Sequence, residues 1–297
     1  MKKIWFLLLV TVTLVSSCSY GNYMLHFSGS QVDDRATAIA TVSGSDLPII
    51  SDTVYSFLII ADAHFGASKT NKHLDRFREK FTALFDAEDS EKPRFIINLG
   101  DNMDDGKQDE ADDCLKLENQ LKEIAKEKLS LASADDFKIY TILGNHDLYA
   151  EDGWDVWKKS FFPGTKYGTS YYRFTLGAFS YYFLDTANGT LGKAQLDDLE
   201  ERLSADSHPK IILMHYPIAP TALAFSLQNT LERNRLLYDF ARTNVRKIFS
   251  GHYHPGNEKD YGDFGEYTVM SFGYKETSLL VTVNENTQTI SYRKIDF

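Results

Sequence analysis

The sequence is short of three things. Cysteine occurs twice in 297 residues, at Cys18 and Cys114, which is too few for a disulfide-built scaffold. Cys114 falls on an apolar helical stripe with Leu117, Leu121 and Ile124 and reads as a buried small hydrophobe. Beyond the first residues, no apolar run is long enough to cross a bilayer as a helix. Basic charge is scarce: 32 Lys and Arg stand against 42 Asp and Glu, a formal net charge of −10. Non-specific nucleic-acid binding needs clustered Lys and Arg, so nucleic acid is not an expected partner. An anionic substrate stays open, because bound metal ions can dominate the field locally. The composition is otherwise globular, 43% hydrophobic and 13% aromatic, and the length suits one large domain or two small ones.

At the N-terminus, Lys2 and Lys3 precede the nearly continuous apolar run Ile4–Val15. The run is too short to span a membrane comfortably and reads as a signal peptide. Val15-Ser16-Ser17-Cys18 comes next and resembles the bacterial lipobox. That resemblance implies a lipoprotein signal peptide over residues 1–17 and lipid on Cys18. It also implies an exported chain anchored to a membrane surface of the bacterial cell envelope. Residues 18–52, mixed and with little periodicity, are expected to form a tether with one irregular strand near Ala36–Val42.

From residue 53 to 297 the pattern is that of a domain. Short apolar runs at Phe57–Ile60, Phe95–Ile97, Ile139–Leu143, Ile211–Met214 and Ile248–Phe249 read as strands buried on both faces. Amphipathic helical stretches lie between several of them, giving an α/β domain. Tyr171–Leu176 and Phe179–Asp185 flank Gly177-Ala178 as a hairpin. Glu266–Phe272, Ser278–Val283 and Thr287–Lys294 are three further strand candidates with antiparallel connections. The expected architecture is two packed sheets between helical layers.

The residues just past the buried runs carry the chemistry. The runs end in Asp62-Ala63-His64, Gly100-Asp101, Gly144-Asn145-His146-Asp147, His215 and Gly251-His252-Tyr253-His254. Ligands bind at the carboxyl ends of strands in open α/β sheets. Hard oxygen and imidazole nitrogen donors without thiolate suit divalent Mn, Fe, Zn, Co or Ni. Taken singly, Asp62 and Asp101 would pass as helix or turn caps, Asn145 as a turn residue and His215 as a core histidine. Five decorated strand ends argue against that.

These five blocks, in this order, resemble the calcineurin-like metallophosphoesterases. The resemblance implies a four-layer αββα sandwich with two mixed sheets. It implies two divalent metal ions, one held by Asp62, His64 and His254, the other by Asn145, His215 and His252, with Asp101 bridging. It implies that a hydroxide shared by the metals attacks a small phosphate ester, diester or monoester. His146 would be the acid or base, oriented by Asp147. Asn102, Trp154 and Trp157 are candidate substrate contacts, the tryptophans as an aromatic wall or as a hydrophobic cluster under a loop. Asp104 is open to a supporting or a helix-capping role. His26, His73 and His208 read as solvated. The contending reading is a non-catalytic surface lipoprotein that uses the fold to bind a partner.

Overall fold

The computed structural model describes residues 31–218 and 225–297. The expected signal peptide over residues 1–17, Cys18 and His26 lie outside them. The strands are β1 (Ala40–Thr41), β2 (Val54–Ile60), β3 (Pro93–Asn98), β4 (Lys138–Thr141), β5 (Tyr172–Leu176), β6 (Phe179–Leu184), β7 (Lys210–Met214), β8 (Val245–Ser250), β9 (Asn257–Asp260), β10 (Gly265–Thr268), β11 (Thr277–Asn284) and β12 (Thr289–Asp296). They form two mixed sheets, ordered β1-β5-β6-β7-β8-β10-β9 and β12-β11-β2-β3-β4.

The layers arise from alternation along each strand. In β2, Phe57 and Ile59 enter the core between the sheets, whereas Leu58 and Ile60 face the opposite way; successive side chains of a strand point to opposite faces. The core between the sheets is aromatic. Phe57 stacks on Phe95 at 4.8 Å, and Phe174 on Tyr181 at 4.8 Å. Outside the five-stranded sheet, helices Leu74–Ala83, Gln108–Leu129 and Gly153–Ser160 bury Phe77, Phe81, Leu117, Leu121 and Trp157. Outside the other sheet, helices Gly192–Ala205 and Thr230–Arg242 bury Leu196, Leu199, Leu236 and Phe240. Three apolar cores thus separate four layers, α-β-β-α. Cys114 is buried as expected. No helix among the described residues is long and apolar enough to cross a membrane.

Three expectations need correction. Residues 31–52 are not a tether. Val32, Ala36 and Val42 are buried, and β1 pairs in parallel with β5. The Arg35 guanidinium, itself buried, donates to Asp185 at 2.7 and 3.0 Å. These residues fill gaps in cores whose periodicity is set by other elements, so the segment shows no period of its own. The C-terminal strands do not form one antiparallel set: β10 runs parallel to β8 in the seven-stranded sheet, whereas β11 and β12 close the other sheet. Finally, His73 is buried, its Nδ1 3.4 Å from Glu276. His208 stays exposed beside Asp206.

Candidate metal centre

The strands that precede the five blocks bring their carboxyl ends together although they belong to different sheets. Asp62 and His64 come after β2, Asp101 after β3 and Asn145 after β4. His215 comes after β7, and His252 and His254 after β8. The loops after β2 and β3 continue the strand pairing beyond the sheet. Asp62 N–H donates to Gly100 O, His64 N–H to Asp101 O, and Phe65 N–H to Asn102 O, all within 3.1 Å. Asp62, His64, Asp101 and His252 all sit at φ between 50° and 64°. Non-glycine residues visit that region rarely, and such strain gathers at functional sites. The loops also demand glycine. A Cβ on Gly144 would stand 2.1 Å from Asp101 N, and one on Gly100 2.7 Å from Gly144 N.

The donor atoms fall into overlapping groups, each within 4.8 Å: Asp62, His64, Asp101 and His254; Asp101, His215 and His252; and His64, Asp104 and His146. Hydrogen bonds fix the tautomers. His215 Nδ1 lies 2.8 Å from Leu99 O, which can only accept, so that nitrogen carries a proton. His215 Nε2 then faces Asn145 Oδ1 at 3.1 Å and Asp101 Oδ1 at 3.3 Å. Those three atoms are all acceptors unless a cation joins them. A proton on Nε2 is one such cation. Although burial opposes it, the Asp101 carboxylate lifts His215 to about 9. A metal ion meets the same demand.

His64 shows the same logic. Its Nδ1 is 3.1 Å from Asp104 Oδ1, so its Nε2 is the free end. That Nε2 faces His254 Nε2 at 3.1 Å and Asp101 Oδ2 at 3.8 Å. Asp101 Oδ2 is buried without a hydrogen-bond partner, an arrangement that is costly unless a cation meets it. Burial, with Asp101 next to it, pushes Asp62 up to about 7. Burial also lowers His252 to about 3 and His254 to about 4. Buried carboxylates converging with the imidazoles of His252 and His254, which burial keeps uncharged, fit divalent metal ions.

A match to a family model settles the family. It covers residues 55–256 and describes a calcineurin-like phosphoesterase. The chain belongs to the calcineurin-like phosphoesterase family. It is a metal-dependent phosphoester hydrolase, and the family uses divalent metals. The phosphoesterase is 26% identical over 202 residues to a Fibrobacter succinogenes protein named as a probable cyclic nucleotide phosphodiesterase, covering 66% of this chain and 71% of that one. Its fold resembles a dimetal phosphatase from Danio rerio, with a TM-score of 0.55 at 15% identity over 83% of this chain and 100% of that one. It also resembles GAP50, the anchor in the inner membrane complex of Plasmodium, with a TM-score of 0.52 at 16% identity over 82% and 89%.

Several residues stand elsewhere than the sequence suggested. Asp147 does not orient His146. Its carboxylate accepts from the backbone N–H groups of Asn102, Met103 and Gly144 at 2.8 to 3.0 Å and from Asn102 Nδ2 at 3.2 Å. Asp147 therefore ties the loop after β3 to the loop after β4. Asn102, fully buried in that tie, has no face for substrate. His146 is held instead by Asp104, whose carbonyl accepts from His146 Nδ1 at 2.7 Å. Trp157 is fully buried in the outer core, and Trp154 stacks on it at 5.6 Å. The two tryptophans are a hydrophobic cluster, not a wall over the site, because helix Gly153–Ser160 turns both rings toward that core. The rings that do border the centre have no counterpart among the sequence candidates. Tyr149 tilts over His146 at 4.2 Å, Tyr216 stacks on His252 at 3.8 Å, Tyr274 stacks on His254 at 5.0 Å, and Phe225 lies 5.9 Å from His252. Tyr149, Tyr216 and Tyr253 sit within four residues of the five blocks; Phe225 and Tyr274 carry no local signal.

Proposed function

We propose that the phosphoesterase hydrolyses a phosphodiester with two divalent metal ions. Asp62, His64 and His254 would hold one, Asn145, His215 and His252 the other, and Asp101 would serve both. The observation that carries this reading is Asp101 itself: Oδ1 lies beside His215 Nε2, and the unpartnered Oδ2 lies beside His64 Nε2. One carboxylate thus addresses both groups of donors. The diester preference is supported by the name of the Fibrobacter relative.

When bound, the metals supply Lewis acidity, drawing in phosphate oxygens and making hydroxide available at neutral pH. The chain's own residues do the rest. Asp104 O holds the His146 Nδ1 proton, which leaves Nε2 to exchange a proton with the ester oxygens. His146 is partly exposed at the site and packs edge-on to His64 at 4.5 Å. It is therefore placed to protonate the departing oxygen. Tyr149 OH accepts from Asn145 Nδ2 at 3.1 Å, which turns Asn145 Oδ1 toward the second donor group. The resemblance of Val15–Cys18 to a lipobox supports a lipid on Cys18 and a place at the bacterial cell envelope; mass spectrometry of the mature N-terminus tests that part.

His146→Ala tests the catalytic assignment. Turnover of an aryl phosphodiester is expected to fall about 10²–10⁴-fold while bound Mn²⁺ stays at the wild-type level. Wild-type turnover in the variant overturns it.

A further inference from the structure

The tryptophans do not border the centre, but other aromatic rings do. Most rings around the centre are already spent on packing. Tyr216 is 3% exposed and lies flat on His252. Tyr274 is 39% exposed, but one face lies flat on His254 and Lys69 Nζ stands 5.5 Å from its ring centroid. Phe225 is 42% exposed. Its ring meets His252 at 5.9 Å and Tyr253 at 5.6 Å, tilted by 48° and 56°. Among the described residues no ring stacks on it, and it stays part-exposed beside a donor of the second group.

An exposed phenylalanine gives up hydration on contact with an apolar surface, and aromatic rings favour flat partners in offset or tilted stacks. A flexible acyl chain would gain from the burial but not from the stacking. We propose that Phe225, backed by Tyr253, is a stacking subsite for a planar aromatic or heteroaromatic group, such as a nucleobase, on one ester arm of the substrate. This rests on the phosphodiesterase reading above and adds to it the chemical class of that arm.

Binding tests it directly. The Mn²⁺-loaded full chain is titrated calorimetrically with adenosine 5′-monophosphate and with ribose 5-phosphate, which lacks the base. Base stacking on an aromatic side chain is commonly worth about tenfold or more in affinity. Wild type is expected to bind the nucleotide about tenfold more tightly. Phe225→Ala should bring the two within about twofold by weakening the nucleotide alone, and Phe225→Trp should keep the preference. The proposal is overturned if wild type shows no preference, if the preference survives in Phe225→Ala, or if that variant weakens both ligands equally. Hydrolysis of methyl p-nitrophenyl phosphate by wild type separates the two claims. Hydrolysis without base preference sinks the subsite alone; absence of hydrolysis sinks the phosphodiesterase reading.

Discussion

Asp104 grips both histidines of the first donor group's rim: its carboxylate meets His64 Nδ1 at 3.1 Å, and its carbonyl meets His146 Nδ1 at 2.7 Å. An acceptor at Nδ1 fixes the ring and frees Nε2, and partners of this kind commonly carry 10–100-fold in metal affinity. Asp104→Asn is therefore expected to weaken Mn²⁺ binding by about 10–100-fold with little loss of global stability. Calorimetric titration of the chelated variant checks this. Unchanged affinity would mean that the loop backbone alone sets the His64 ring.

The N-terminal segment carries a buried ion pair. The side chains of Arg35 and Asp185 are 1% and 0% exposed, and Asp185 also accepts from Ser170 Oγ and Ala187 N–H. Removing Arg35 strands a buried carboxylate, a loss that typically costs about 3–5 kcal/mol. Arg35→Ala should show that loss in urea unfolding, and a chain begun at Thr53 should be less stable still. If the shortened chain kept full stability, residues 31–52 would be a tether after all.

Glu118 gives a pH dependence away from the centre. Its Oε1 is buried without a hydrogen-bond partner, and burial pushes its carboxyl up to about 7. The folded state then holds a proton that the unfolded chain releases at about 4.5. Its stabilising effect is full below that lower value and is lost as pH rises through about 7. Glu118→Gln should gain stability relative to wild type between about pH 4.5 and 8, by up to about 3 kcal/mol. Urea titrations of both chelated proteins at the two pH values measure it. A constant difference would show that Glu118 ionises freely in the fold.

The sequence was most legible where the chemistry is local. The strands before the five blocks were visible as short apolar runs, because β2, β3, β7 and β8 are buried on nearly every residue. The Asp, Asn and His positions were visible because each sits directly after such a run. What stayed hidden depends on pairs far apart in the chain. Asp185 meets Arg35 across 150 positions, and β10 joins β8 rather than the adjacent β11. Asp147 looked like the partner of His146 because they are neighbours. The loop geometry instead turns it toward three backbone N–H groups and leaves His146 to Asp104. The Gly-Asp-x-x-Asp spacing to Asp104 was the one available clue.

Metal stoichiometry tests whether Asp101 joins two metal sites. The chelated full chain is titrated with Mn²⁺ while bound metal and aryl phosphodiester hydrolysis are monitored together. About two equivalents are expected to bind per chain, with hydrolysis returning as they bind, and Asp101→Asn is expected to lose metal. Hydrolysis undiminished after exhaustive chelation, or saturation at one equivalent with full activity, would contradict it.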